Sequence, residues 1–186
     1  IFFSGVRPDA RGCRVGRGIE RRWRVLDRPV GVVTGGGGFE ATLEILLKSE
    51  RFGEKWARHW LDVARYSDTN GYENDLPREQ WMWRDWVVDA LNRGLPYDQF
   101  LIEQLAGDLL PAADRFQREE QLIATGFLAI GPKVLAEVDE AKMQMDIVDE
   151  QIDTVGRAFL GLTLGCARCH DHKFDPIDTA DYYGLA

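Results

Sequence analysis

The chain has 186 residues, six tryptophans, a net charge of −8 and a hydrophobic share of 45%, enough apolar side chain to build one buried core. No run of about 18 apolar residues occurs, which excludes an ordinary membrane-spanning helix from this sequence. Residues 1–38 hold eight arginines against Asp9, Glu20 and Asp27, so the remainder carries −13, and so acidic a body disfavours nucleic acid, whose phosphates seek a Lys/Arg surface.

In chain order, residues 1–38 come first and differ from the rest. They contain Arg without Lys, scattered glycines and the run Gly35–Gly38, and no apolar period is sustained. They read as a flexible arm or a mispredicted start. They lack the charged start, apolar middle and cleavage site of a signal peptide, so an export signal would have to lie upstream.

From Phe39 to Ala186 the pattern is helical. Phe39–Ser49 predicts a first helix with Leu43, Leu46 and Leu47 on one face. Glu54–Tyr66 predicts a second, with Trp56, His59, Trp60 and Val63 as one apolar stripe that contains a histidine. A polar loop, Ser67–Pro77, follows, with Asn70-Gly71 as its turn signal. Arg78–Arg93 predicts a third helix with Trp83, Trp86, Val87 and Ala90 inward, ended by Gly94. Pro96 starts a fourth, Tyr97–Ala106, and Arg115–Ala129 makes a fifth, broken at Gly131-Pro132. The longest expected helix is Glu140–Leu164, with Ala141, Met145, Val148, Ile152, Val155, Phe159 and Leu162 as a continuous seam. Asp178–Ala186 begins a further helix. No strand pattern competes, so the class is all-α: an irregular helical domain over residues 39–186 with a C-x-x-C-H loop after its longest helix.

That loop, Cys166-Ala167-Arg168-Cys169-His170, carries the most specific chemistry in the sequence. Two thiols at this spacing suit the two vinyl groups of one porphyrin, and the following histidine suits the proximal position under iron. The expected cofactor is therefore covalent haem c, held by Cys166, Cys169 and His170. The distal iron ligand is open among His59, Met143 and Met145. A structural zinc site using Cys166, Cys169 and His170 or His172 is the alternative, and Cys13 is the only further thiol. A plain thiol or disulfide pair is the third reading. His172 or Lys173 could pair with a haem propionate, and Asp175 could cap the turn before Pro176. The Asp68–Asp75 loop is rich in oxygen donors but lacks the EF-hand spacing, so it reads as a solvated turn rather than a calcium site.

Two long blocks carry a family resemblance. Glu54-Lys55-Trp56-Ala57-Arg58-His59-Trp60-Leu61-Asp62-Val63-Ala64-Arg65-Tyr66 is one, and Gly161–Pro176, with the C-x-x-C-H run inside it, is the other. Together they resemble the planctomycete cytochrome-associated family of domains of unknown function, over about Thr42 to Ala186. The resemblance implies a large exported protein in which this domain follows a planctomycete-type cytochrome c domain, with Ala186 cutting the domain short. It implies haem association through Cys166, Cys169 and His170, and it assigns no role to Trp56–Trp60. The expected function is single-electron transfer in the periplasm or a similar compartment, with a redox protein or other domains of the same chain as partner. Competing expectations are a zinc-stabilised interaction module and part of a carbohydrate-oxidising enzyme, whose pocket would lie near Arg58, Arg65 and the Asp68–Asp75 loop.

Overall fold

A computed structural model describes residues 38–186 apart from Glu73. The chain divides into two units, 1–42 and 43–186. The flexible-arm expectation for residues 1–38, and Cys13 with it, falls almost wholly outside the described residues. Among these, helix is the dominant regular structure, and a single antiparallel bridge joins Thr69 and Pro77. The helices are α1 Gly38–Leu47, α2 Arg51–Val63, α3 Trp81–Asn92, α4 Tyr97–Ala106, α5 Arg115–Ala124, α6 Glu140–Val155 and α7 Thr179–Leu185. No described helix is long and apolar enough to cross a membrane.

The main core lies where α2 meets α3. Gly53 lets the two backbones touch: a Cβ there would collide with the Val88 carbonyl oxygen. Its N–H instead donates to Asn92 Oδ1 at 2.7 Å, while Asn92 Nδ2 donates to the Glu50 carbonyl at 2.8 Å. Ala57 and Leu61 continue this buried stripe of α2, and Ala64 extends it at the C-terminal cap. The expected stripe is thus corrected: Trp56, His59 and Val63 face solvent, and only Trp60 turns partly inward. Small residues face α3 because close helix approach needs small side chains, so the larger ones are displaced to the outer face.

On α3 the buried set is Trp83, Trp86, Val87 and Ala90, as its period predicts. Trp86 stacks on Phe100 of α4 with ring centroids 5.4 Å apart. Trp60 meets Phe100 edge-on at 5.1 Å and stacks on Phe159 at 5.7 Å, and its Nε1 donates to buried Gln104 at 2.8 Å. Offset and edge-on ring pairs of this kind add about 0.5–1.5 kcal/mol each beyond burial. The three leucines expected inward on α1 are exposed.

The long helix ends earlier than its apolar seam suggests. α6 stops at Val155, a wider π turn runs over Gly156–Leu160, and Gly161 closes it at φ +66°, in the left-handed region. Gly156 is required because a Cβ there would meet Leu164 Cγ at 2.7 Å as the chain folds back. Val155, Ala158 and Phe159 pack against the main core, whereas Val148, Ile152 and Leu162 join a second, smaller cluster with Leu164, Ala167, Tyr182 and Ile177. Ala141 and Met145, the start of the expected seam, are exposed. The fifth helix likewise ends at Ala124 and continues as a 3-10 turn over Thr125–Ala129.

Candidate haem-attachment turn

The C-x-x-C-H run is no open loop. Leu164–Arg168 forms a 3-10 turn, closed by the Cys169 N–H donating to the Cys166 carbonyl at 3.4 Å. A 3-10 turn has about three residues per repeat, so side chains three apart point the same way. Leu164 and Ala167 form one such pair, and both are buried in the second cluster. Cys166 and Cys169 form the next, and both are exposed, unpaired thiols. Burial of the first pair therefore turns the second outward.

Polar latches hold the turn against α6 and α7. Arg168 reaches Asp146 and Asp149 of α6, each at 3.0 Å. Asp149 also accepts the Tyr182 hydroxyl at 2.5 Å, and the Tyr183 hydroxyl donates to the Arg168 carbonyl at 3.2 Å. Hydrogen bonds from Lys142 and then Arg168 hold the Asp146 carboxyl below the usual carboxylate range. Burial first, then the Asp149 bond, pushes the Tyr182 phenol well above its ordinary value. Sequence reasoning missed these groups; the signal was the acid pair three apart on a helix, opposite an arginine inside the motif.

His170 is exposed, and its Nδ1 lies 2.8 Å from the Asp171 carbonyl oxygen. A carbonyl only accepts, so Nδ1 carries the hydrogen and the neutral ring keeps its lone pair on Nε2. A histidine oriented this way is ready to bind a metal through Nε2. His172 is different. Its side chain is only 7% exposed. Its Nδ1 accepts the Asp175 N–H at 2.9 Å and the Phe174 N–H at 3.3 Å, and its Nε2 meets Thr163 Oγ1 at 3.4 Å. The Asp175 carboxylate lies 3.4 Å from the same Nδ1, but a nitrogen accepting two backbone hydrogens acts as the acceptor. Both ring nitrogens are thus engaged in folding the loop, rather than offered to a propionate or to zinc. Among the described residues, no group of three or more His, Cys, Asp and Glu side chains is gathered to hold a metal ion.

The rest of the loop is equally knitted. Asp171 accepts the N–H and hydroxyl of Thr179 at 3.1 and 3.3 Å. Asp178 and Asp181 form a reciprocal cap at the start of α7, and Lys173 lies 5.1 Å over the exposed Phe174 ring.

The distal candidates are scattered. His59 is on the outer face of α2, 5.5 Å from the Trp56 ring. At about 3.6 residues per turn, Met145 falls within the arc of α6 that holds the cysteine turn, between Asp149 and Ile152, and half-buried Met143 falls nearly opposite. Buried tryptophans fill the main core, while the cysteine turn rests on the second cluster through Leu164 and Ala167.

In the region expected to line a sugar pocket, Arg58 is exposed, while Arg65 and the Asp68–Asp75 loop are engaged in contacts of their own. Arg65, at φ +57°, donates to the Glu150 carbonyl at 3.0 Å and pairs with the Glu150 carboxylate. Burial raises the Glu150 carboxyl, with Arg65 opposing the shift. Arg78 donates to the carbonyls of Ser67, Ile130 and Gly131. In the Asp68–Asp75 loop, Asp75 accepts the Gly71 N–H at 2.9 Å, which folds the loop on itself.

No curated protein and no solved structure matches this chain. A family pattern does, over residues 35–186, which include every described helix and the whole cysteine turn. Since the match takes in well over half the sequence, the chain belongs to the PSCyt2 family, described as a protein of unknown function (DUF1549).

Proposed function

We propose that this domain binds haem c covalently and passes single electrons within a larger exported protein. The observation that supports this most is the exposure of two free thiols on one short turn, followed by a histidine whose Nε2 is available. Each thiol would add across one vinyl C=C, sulfur to one carbon and hydrogen to the other, with no net change in oxidation state. His170 would hold the iron through Nε2, and the Asp171 carbonyl would fix the ring and raise its basicity. The bound group would supply a one-electron couple, tuned by its axial ligands and by burial. Met145 is the distal candidate best supported by its place on α6; His59 and Met143 are the others.

The resemblance in Glu54–Tyr66 and Gly161–Pro176 supports a planctomycete-type cytochrome setting, outside the cytoplasm, with a redox protein or neighbouring domains as partner. The acidic body would suit a basic partner surface. A pyridine haemochrome spectrum, taken on the 186-residue chain matured by haem-attachment machinery, tests the reading. Thioether-type bands and one added haem mass are expected. Unmodified Cys166 and Cys169 in protein so matured would overturn it. Stoichiometric zinc without Soret absorbance would favour the zinc module instead.

A further inference from the structure

Both residues between the cysteines are anchored, one by burial and one by charge. Ala167 is fully buried. Arg168 spreads its two terminal nitrogens over carboxylates nearly one turn apart on α6, and its carbonyl is held from α7 by the Tyr183 hydroxyl. The same Asp149 is held in turn by Tyr182.

The geometry points to Arg168 as the positioning residue of the dithiol: its fork on Asp146 and Asp149, with Tyr183 on its carbonyl, fixes the rotation of the turn so that both sulfurs leave on one side. This deepens the haem reading and rests on it for its purpose, because two additions to one macrocycle need both sulfurs on one side. Lysine replaces the fork only in part, since its ammonium meets carboxylates as a single point charge and lacks the two separated nitrogens that Arg168 places on Asp146 and Asp149.

The test uses the full chain in a Cys13→Ser background, with Arg168→Ala, Arg168→Lys and Tyr183→Phe compared with the parent. Far-UV circular dichroism and melting report the fold. Phenylarsine oxide, whose trivalent arsenic bridges two thiols, reports their mutual placement. N-ethylmaleimide reports each thiol singly. The parent is expected to take one arsenical per chain. Arg168→Ala is expected to lose about tenfold or more in arsenical affinity, since the pair is no longer held in register, while maleimide still labels both cysteines. Arg168→Lys falls between them, Tyr183→Phe shows a smaller loss, and covalent haem yield follows the same order. Unchanged arsenical affinity in folded Arg168→Ala overturns the proposal. Should that variant fail to fold, Tyr183→Phe decides alone, and parental affinity there overturns it. A parent that never gains haem, with arsenical binding still dependent on Arg168, sinks the haem reading and supports the positioning role.

Discussion

The main core and the cluster under the cysteine turn are built from different materials. The first is a stack of large rings, Trp60, Trp83, Trp86, Phe100, Phe127 and Phe159, closed by glycine and alanine contacts between α2 and α3. The second has four buried residues, Ile152, Leu164, Ala167 and Tyr182, and is rimmed by Arg168, Asp146, Asp149 and the His172 hydrogen bonds. Ring burial is strong and tolerant of direction. Charge-assisted hydrogen bonds contribute less but fix direction. The difference teaches that one region supplies the stability of the body and the other supplies the orientation of two sulfurs.

The strongest way to break this comparison is to empty the main core. Trp83→Ala should cost about 3–5 kcal/mol, read as a lower midpoint in denaturant melts of helical signal across the whole body. A loss confined to α6–α7 amides would contradict the division. Ala167→Leu, which overfills the second cluster, should cost about 1–3 kcal/mol. Its effect should appear as faster hydrogen exchange over residues 164–182 while α2 and α3 stay protected. His172→Ala leaves the Phe174 and Asp175 N–H groups without their acceptor, for about 1 kcal/mol, with the Asp175 amide exchanging faster and the cysteines still exposed.

The smallest effect concerns acid. Asp146 is held below its ordinary value in the fold. Its contribution is therefore fully present above the usual carboxylate range and fades as pH falls through the depressed value. Glu150 is raised by burial, so its desolvation weighs against folding once it ionises and is relieved as pH falls through the raised value. Melts of the parent and of Asp146→Asn should differ near pH 7 and converge only as pH falls below the usual carboxylate range; a gap that widens in acid would refute the assignment.

How far the sequence carried this picture depends on the residue. α4 was legible to the residue because Pro96 fixes its start; the buried face of α3 was legible because its apolar period is regular and Gly94, at φ +66°, can end it, but the helix starts at Trp81 rather than at the expected Arg78. α2 was misread because large apolar residues dominate a periodic pattern, whereas the contact with α3 selects Gly53, Ala57 and Ala64 for their smallness. The end of α6 was misread because Phe159 and Leu162 keep the helical spacing after the backbone has left the helix. The cysteines were legible from spacing alone. Their exposure was not, because it depends on Ala167 and Arg168 meeting α6 and α7.

The threefold repeat of the cysteine turn makes its length as exacting as its letters. One extra residue between the thiols would rotate the second sulfur by about a third of a turn. It would then aim where Ala167 now lies, into the apolar wall beneath. A macrocycle reaching for two anchors would find one outside and one sealed in, so insertions here should be far less forgiving than exchanges of the residues themselves.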